Sequence, residues 1–253
     1  MTVSFIIPVY NEGPHLKDFF KLILNMKFGF ETEFVIVDDH STDNSWEIIQ
    51  TIAESSPVKI FRQDKNQGKG AAIRRGIEQA TGDIILIQDA DFEYDPNDLD
   101  SLVKPILENR ADVVFGSRFR KTSPQIHRTF HYLINRFLTL VSNMLSGLYL
   151  SDMETCYKVF RADVIKPLIK GFEADRFGFE PEVTAAVAKL KLRVHEYPIS
   201  YFPRGYLEGK KINWKDGVAA LWFIIKFNLR SLPPKVKDSI PPKYQLSGEG
   251  RLL

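Results

Sequence analysis

The chain has 253 residues, a formal net charge of +2 and one cysteine, Cys156. A charge so close to zero gives no general attraction for nucleic acid, and we expect no nucleic-acid partner. A lone cysteine excludes an internal disulfide and a cysteine-based metal site, which is typical of a reducing cytoplasm. The length suits one α/β domain, which we place at residues 1–230. The remainder, 231–253, is a polar, proline-containing tail for which disorder is one option.

Apolar strands alternate with helical patterns in the first third of the chain. Val3–Val9, Glu33–Val37 and Val58–Arg62 are predicted strands, and a stretch with apolar residues at helical spacing follows each of them. The apolar run Ile84–Ile87 is typical of a strand buried on both faces. This order predicts an α/β fold with a mostly parallel sheet and helices on both of its faces.

Two carboxylates separated by one small residue follow the fourth predicted strand. Asp89 and Asp91 lie at its carboxyl end, the edge where open α/β sheets bind ligands, and Ala90 leaves room between them. Such a pair can hold Mg²⁺ or Mn²⁺ against a diphosphate. Asp-x-Asp also occurs in ordinary loops, so the alternative is two solvated acids ahead of the helix that follows Pro96.

Basic residues at four places along the chain are candidate contacts for phosphate or another anion. Lys69 lies in a glycine-flanked loop before a helix, although the spacing is not that of an ATP-binding P-loop. Arg118 closes the predicted strand 112–115, and a guanidinium there can bind phosphate through two parallel hydrogen bonds. Two further sets of charged residues lie in predicted loops: Arg120, Lys121, His127 and Arg128, and the run 204–211. For both sets, the alternative to anion binding is an ordinary solvated surface.

Two segments are predicted to be amphipathic helices, at about 126–150 and 212–232. Their cations and tryptophans flank apolar faces, which suits a helix lying on a membrane surface. The alternatives are packing on the sheet or an interface in a homo-oligomer. The longest apolar stretch, 217–225, is too short to span a bilayer, and no signal peptide precedes the first strand. We therefore expect a cytoplasmic protein, with peripheral contact at the cytosolic face of a membrane as one option.

Seven motifs follow one another along the chain: FIIPVYNE, FVIVDDHSTD, NQGKGAAIRRG, GDIILIQDADFEYDP, DVVFGSRF, SDMETCYKVFR and YFPRGYLEGKKINWKDG. In this order they resemble the family 2 glycosyltransferases of the GT-A fold, in particular the branch that makes dolichyl-phosphate mannose and polyprenyl-phosphate glucose. The resemblance extends from Met1 to about Asn228. It implies a Rossmann-like GT-A domain, and the amphipathic C-terminal helix predicted above is a departure from membrane-bound relatives that end in a spanning helix.

The resemblance also implies a reaction, in which a hexose moves with inversion from a UDP- or GDP-linked sugar to polyprenyl or dolichyl phosphate. It implies that residues in and just after the first two strands contact the base and ribose of the donor. It also implies that Arg204 and Lys210 contact the donor phosphates. Combined with the residues above, the expected donor site is Pro8, Tyr10, Glu12, Val37, Asp39, Lys69, Asp89, Ala90, Asp91, Arg118, Arg204 and Lys210. Asp89 and Asp91 are the expected ligands of Mg²⁺ or Mn²⁺, and Asp91 is an expected catalytic residue.

The acceptor side is less defined by the sequence. Asp152 follows the first amphipathic helix, and the resemblance makes it a candidate base or acceptor-orienting acid, with a turn or helix cap as the alternative. Glu180 and Glu182 are rival acids. A glycan, a protein or a small molecule is the alternative to a lipid phosphate as the acceptor. A nucleotidyltransferase would need a glycine-rich loop after Val9, and a non-catalytic nucleotide-binding module would not need so many charged groups at one edge.

Overall fold

The computed structural model describes residues 1–120, 129–176, 178–203 and 214–245. In this part of the chain a seven-stranded sheet has the order β3-β2-β1-β4-β6-β5-β7. The strands are β1 (Thr2–Val9), β2 (Glu31–Asp38), β3 (Val58–Arg62), β4 (Ile84–Ile87), β5 (Val113–Ser117), β6 (Lys158–Arg161) and β7 (Val194–Pro198). Only β6 runs antiparallel to its neighbours among them. The predicted α/β fold and its mostly parallel sheet are confirmed.

Helices cover the sheet and connect its strands. In chain order they are α1 (Gly13–Asn25), α2 (Ser45–Ser55), α3 (Lys69–Gln79), α4 (Leu99–Leu107), α5 (Thr129–Ser146), α6 (Ala162–Ile169), α7 (Phe179–Lys189), α8 (Trp214–Leu229), α9 (Pro234–Ser239) and α10 (Pro242–Gln245). The two predicted amphipathic segments are therefore helical in α5 and α8.

The core lies on both faces of the central strands. In β1, Val3, Phe5, Ile6 and Ile7 are all fully buried, so successive side chains on opposite faces are shielded from water. The same holds for the four residues of β4. Burial on both faces is the reason that these strands are continuous apolar runs rather than alternating ones.

Strand β1 is the point at which the order of the sheet reverses. The chain moves from β1 to β2 and β3 on one side, while β4 pairs with the other side of β1. In open α/β sheets the crevice at the carboxyl ends of such strands is the usual ligand site. Tyr10 follows β1, Asp39 follows β2, and Asp89 lies two residues after β4. The fold therefore brings these three residues to the edge of the sheet where a ligand site is expected.

The described part of the tail differs from the sequence prediction. Val236, Ile240 and Tyr244 are buried, and the Tyr244 hydroxyl donates to Asp163 Oδ1 at 3.0 Å. Val236 lies in α9, Ile240 is extended just after it, and Tyr244 lies in α10, so the buried residues belong to three different local structures. Residues 231–245 thus pack against the rest of the chain, beyond the boundary at residue 230 that the composition indicates. Residues 246–253 lie outside the described part.

One strained position gives a test of stability. Lys191 follows the end of α7 with φ of 49°, a left-handed conformation that favours glycine, and it is exposed. We expect Lys191→Gly to raise the free energy of unfolding by about 0.5–1 kcal/mol, because glycine adopts this conformation without Cβ strain. Urea denaturation measures the change. Lys191→Ala keeps the Cβ and is the matched control; an equal gain in both variants would contradict the explanation.

Candidate active site

Asp39 holds the loop before α3 in place through hydrogen bonds. Its carboxylate accepts hydrogen bonds from the backbone N–H groups of Gln67 and Gly68, each at 2.7 Å, and from the side chains of Gln63 and Asn66 at 2.7 and 3.0 Å. Gly68 has φ of 102°, and a Cβ there would lie 2.5 Å from the carbonyl oxygen of Asp175. Asp39 therefore fixes the loop that presents Lys69. The sequence does not predict this structural role of Asp39, and the predicted contact of Asp39 with the donor stays a prediction.

The turn after β1 is held against the start of α2. Asn11 has φ of 54°, and its Oδ1 accepts from Thr42 N at 2.8 Å. The backbone N–H of Glu12 donates to Ser45 Oγ at 3.0 Å. Pro8 and Val37 are buried in their strands, whereas Tyr10 and Glu12 are partly accessible. The predicted base and ribose contacts thus share the edge of the sheet that carries Asp39.

Lys69 and Asp89 form an ion pair at the end of β4. Lys69 Nζ lies 2.7 Å from Asp89 Oδ1 and 3.9 Å from Glu180 Oε1. Burial alone would lower the pKa of Lys69, but the charges of Asp89 and Glu180 raise it well above its usual value. Lys69 is therefore a permanent cation beside one of the two predicted metal-binding acids.

Asp91 is held in a turn just beyond Asp89. It is 8% exposed, and its Oδ1 accepts from the backbone N–H of Glu93 at 3.0 Å. Ala90, between the two acids in the chain, is buried, and its predicted role of leaving room for a ligand stays a prediction. Within the described ranges, no group of three or more His, Cys, Asp or Glu side chains is arranged to hold a metal ion alone. A dication at this pair would need other ligands, which suits Mg²⁺ or Mn²⁺ shared with a diphosphate.

Arg118 and Asp152 form a buried, bidentate ion pair. Arg118 Nε and Nη2 donate to the two carboxylate oxygens at 2.7 Å each, and Arg118 N donates to Oδ2 at 3.0 Å. Asp152 is fully buried and the Arg118 side chain is 9% exposed. The guanidinium also lies 5.2 Å from the ring centroid of Tyr201. Since both Asp152 oxygens already accept from Arg118, the contacts favour an orienting role over proton abstraction.

The two rival acids of α7 differ in position. Glu180 is the one near Lys69, whereas Glu182 accepts from the backbone N–H groups of Glu173 and Ala174, both at 2.9 Å. Glu182 therefore holds the segment that precedes α7 in place. Glu180 belongs to the site.

Several predicted cations cannot be placed. Arg204 and Lys210, together with Lys121, His127 and Arg128, lie outside the described residues. Arg120 is described, and its Nε lies 2.8 Å from Glu196 Oε2. Its predicted part in recruiting an acceptor stays a prediction.

An exposed apolar surface adjoins the site. α5 and α8 pack on each other, and each shows a row of apolar side chains at spacing i, i+4, i+7, i+11. This apolar helical face comprises Leu133, Phe137, Leu140 and Met144 with Val218, Trp222, Ile225 and Leu229, which are 37–77% exposed. Single exposed apolar residues are ordinary, but a row of them along a helix is typical of an interaction surface.

The apolar helical face begins beside Arg118. The ring of Phe119, the next residue, lies 5.1 Å from the ring of Tyr132 in the second turn of α5. After α5 the chain returns to Asp152, and Asn143 binds both the N–H and the C=O of Leu150 on the way. In the described ranges no helix is long and apolar enough to cross a membrane.

Comparison with known proteins identifies the class to which this fold and site belong. The model of the glycosyl transferase family 2 matches residues 4–169. A dolichol-phosphate mannosyltransferase of Pyrococcus furiosus is 31% identical over 211 residues, which is 83% of this chain and 59% of that protein. A dolichyl-phosphate beta-glucosyltransferase of Trichomonas vaginalis is 30% identical over 227 residues, 83% of this chain and 68% of that protein.

The chain therefore belongs to the family 2 glycosyltransferases, and the resemblance found in its sequence is confirmed. Solved structures agree on the fold. Glucosyl-3-phosphoglycerate synthase from Mycobacterium tuberculosis, in complex with Mn²⁺, UDP and its product, superposes with a TM-score of 0.68 at 17% identity. The match covers 90% of this chain and 78% of that one. The Staphylococcus aureus protein TarS with UDP-GlcNAc gives a TM-score of 0.60 at 18% identity, covering 95% and 70%.

Proposed function

We propose that the protein transfers a hexose from UDP- or GDP-sugar to the phosphate of a polyprenyl or dolichyl lipid at a membrane surface. The observation that carries the proposal is the position of the apolar helical face, which begins beside the charged site formed by Asp89, Lys69 and Arg118. A lipid phosphate has both a long apolar chain and an anionic head. This juxtaposition of surfaces matches both parts.

The donor is proposed to bind along the edge from Asp39 to Asp91. A tyrosine ring can stack on a base, and carboxylates accept from ribose hydroxyls, so Tyr10, Glu12 and Asp39 suit the nucleoside. Mg²⁺ or Mn²⁺ held by Asp89 and Asp91 would supply charge stabilisation for the departing diphosphate. Lys69, already 2.7 Å from Asp89, adds a fixed cation at the same place.

The reaction is proposed to be a single displacement with inversion. A phosphate oxygen of the acceptor forms a bond to the anomeric carbon as the bond from that carbon to the diphosphate breaks, and the nucleoside diphosphate leaves. A lipid phosphate is ionised near neutral pH, so no side chain must remove a proton. This agrees with Asp152 having both oxygens engaged by Arg118. Arg118, which the sequence places at the donor, is proposed to bind the acceptor phosphate instead, because Phe119 beside it contacts the start of the apolar helical face.

The proposal is tested with purified protein, labelled UDP-glucose or GDP-mannose, Mg²⁺ or Mn²⁺, and vesicles with or without undecaprenyl phosphate. We expect label in the organic extract only when the lipid phosphate is present. Transfer solely to a water-soluble glycan, protein or small acceptor would overturn the lipid assignment. It would leave the glycosyltransferase assignment intact.

The apolar helical face gives a separate prediction. Phe137→Glu combined with Trp222→Glu should lower transfer to undecaprenyl phosphate in vesicles by about ten-fold or more, since each large side chain buried on membrane contact contributes about 1.5–3 kcal/mol. Transfer to a water-soluble, short-chain isoprenyl phosphate should stay unchanged. Leu22→Glu, at an exposed apolar residue of α1 outside this face, is the matched control. Equal loss with both acceptors would show that the face is not a membrane contact.

A further inference from the structure

A glutamate that the proposed mechanism does not use lies within the site. Glu154 belongs to the segment 152–157, which enters β6 over the carboxyl end of β4. The residues on either side show where it lies: Asp152 pairs with Arg118, and Cys156 is buried against Asp89. Residues two positions before and two positions after Glu154 thus contact the Arg118 ion pair and a predicted metal-binding acid.

The backbone that carries Glu154 is held by Lys158. Lys158 is fully buried, and its Nζ donates to the carbonyl oxygens of Met153, at 3.0 Å, and of Thr155. These carbonyl groups flank Glu154 in the chain. The ammonium group also lies 4.9 Å from the ring centroid of Phe115. Lys158 thus presents Glu154 in a fixed position.

The carboxyl group of Glu154 has an unused hydrogen-bonding oxygen. Its Oε1 is shielded from solvent and has no hydrogen-bond partner among the described residues. A buried polar atom without a partner is unfavourable, so a ligand that supplies one gains affinity. The residue as a whole is partly accessible, which leaves a path for such a ligand.

The charges around Glu154 determine its protonation. The groups that face it are Glu180, Lys158, Arg118 and Asp152. Arg118 is paired with Asp152, Lys158 donates to backbone carbonyl oxygens, and Glu180 faces Lys69. The charges of Lys158 and Arg118 lower the pKa of Glu154 by less than burial and Glu180 raise it. Burial, followed by the charge of Glu180, raises the pKa of Glu154 to about 8. At pH 7 its carboxyl group is mostly neutral and can both donate and accept.

We propose that Glu154 binds a hydroxyl group of the transferred hexose and so contributes to the choice of donor sugar. The inference rests on the proposed donor site, in which the diphosphate lies at Asp89 and Lys69 and the sugar extends toward Glu180 and Glu154. A hexose hydroxyl both donates and accepts, as a neutral carboxyl group does. The anionic acceptor is instead matched by Arg118.

Binding measurements test this without any acceptor. Isothermal titration with Mn²⁺ compares UDP-glucose with UDP, and GDP-mannose with GDP. For the nucleotide sugar that the parent protein binds, Glu154→Ala should weaken affinity roughly ten- to hundred-fold, the cost of one buried hydrogen-bonding group left unmatched. Affinity for the nucleoside diphosphate alone should change by less than about two-fold, because it lacks the sugar. Equal weakening of both ligands, or of neither, would overturn the inference.

Glu154→Gln provides a second test, which does not require the fold to tolerate a smaller side chain at this position. Glutamine is neutral at every pH and keeps one donor and one acceptor. Parental affinity for the nucleotide sugar should fall as pH rises past about 8, because the ionised carboxylate no longer donates, whereas the Gln variant should stay level from about pH 7 to 9. The exposed Glu54→Gln is the control. Parallel profiles for parent and Gln variant would overturn the role of Glu154.

These outcomes separate the two proposals. Full affinity of Glu154→Ala for a nucleotide sugar removes only the role of Glu154, and absent transfer to lipid phosphate removes only the acceptor assignment. A parent protein that binds none of the four ligands would overturn both.

Discussion

Replacing Asp91 by asparagine is expected to lower sugar transfer by roughly a thousand-fold or more, since the variant loses a charge that would hold the dication at the departing diphosphate. Asparagine keeps the Oδ1 that accepts from Glu93 N, a contact of 3.0 Å, so the turn should persist. The measurements are the transfer rate and the affinity for nucleotide in the presence and absence of Mn²⁺. Thermal unfolding should be unchanged.

The exposed Asp18→Asn in α1 is the matched control and should transfer sugar at the parental rate. Removal of metal with EDTA should reproduce the Asp91 defect in the parent protein, and added Mg²⁺ or Mn²⁺ should reverse it. Undiminished turnover of Asp91→Asn, or activity that survives EDTA, would remove the metal from the proposed mechanism.

The parts of this fold that sequence predicts best are those governed by local patterns. β4 is four apolar residues followed by Gln88 and then Asp89, so both its burial and the acids after it are visible in the sequence. The helices α5 and α8 follow from apolar residues at helical spacing. For these elements the side-chain period alone determines which surface is apolar.

Other features depend on residues far apart in the chain. The four hydrogen bonds on Asp39 come from residues 24 to 29 positions later, and Arg118 meets Asp152 across 34 positions. Nothing local distinguishes these acids from ordinary turn residues. The antiparallel β6 between β4 and β5 is also not predictable from its four residues, yet it brings Glu154 to the site.

The packing of residues 231–245 is hard to predict from the sequence for a different reason. The prolines and lysines of this segment give a composition typical of exposed chain, yet Val236, Ile240 and Tyr244 are buried. Val236 lies in the six-residue α9, Ile240 is extended just after it, and Tyr244 lies in α10. No single helical period therefore marks these residues as one apolar face in the sequence.

The ion pair of Asp152 with Arg118 leads to the largest expected effect on stability. Asp152→Ala would leave the Arg118 guanidinium buried without its counter-charge, which typically costs about 3–5 kcal/mol of unfolding free energy. Arg118→Met combined with Asp152→Ala should be less destabilised than Asp152→Ala alone, because no uncompensated charge remains. Urea denaturation of the single and double variants measures both values, with the exposed Asp18→Ala as the control.

A third variant, Asp152→Asn, separates the structural role of Asp152 from a role as catalytic base. Asp152→Asn keeps one oxygen for Arg118 while it removes the negative charge, and it should raise the KM for the lipid phosphate by loosening the guanidinium that is proposed to bind it. The rate at saturating acceptor should fall by less than about ten-fold, well below the roughly 10²–10⁴-fold contribution of a general base. A fall of 10³-fold in that rate with an unchanged KM would instead make Asp152 the base. In that case its pairing with Arg118 would have to open when the acceptor binds, because both carboxylate oxygens accept hydrogen bonds from Arg118.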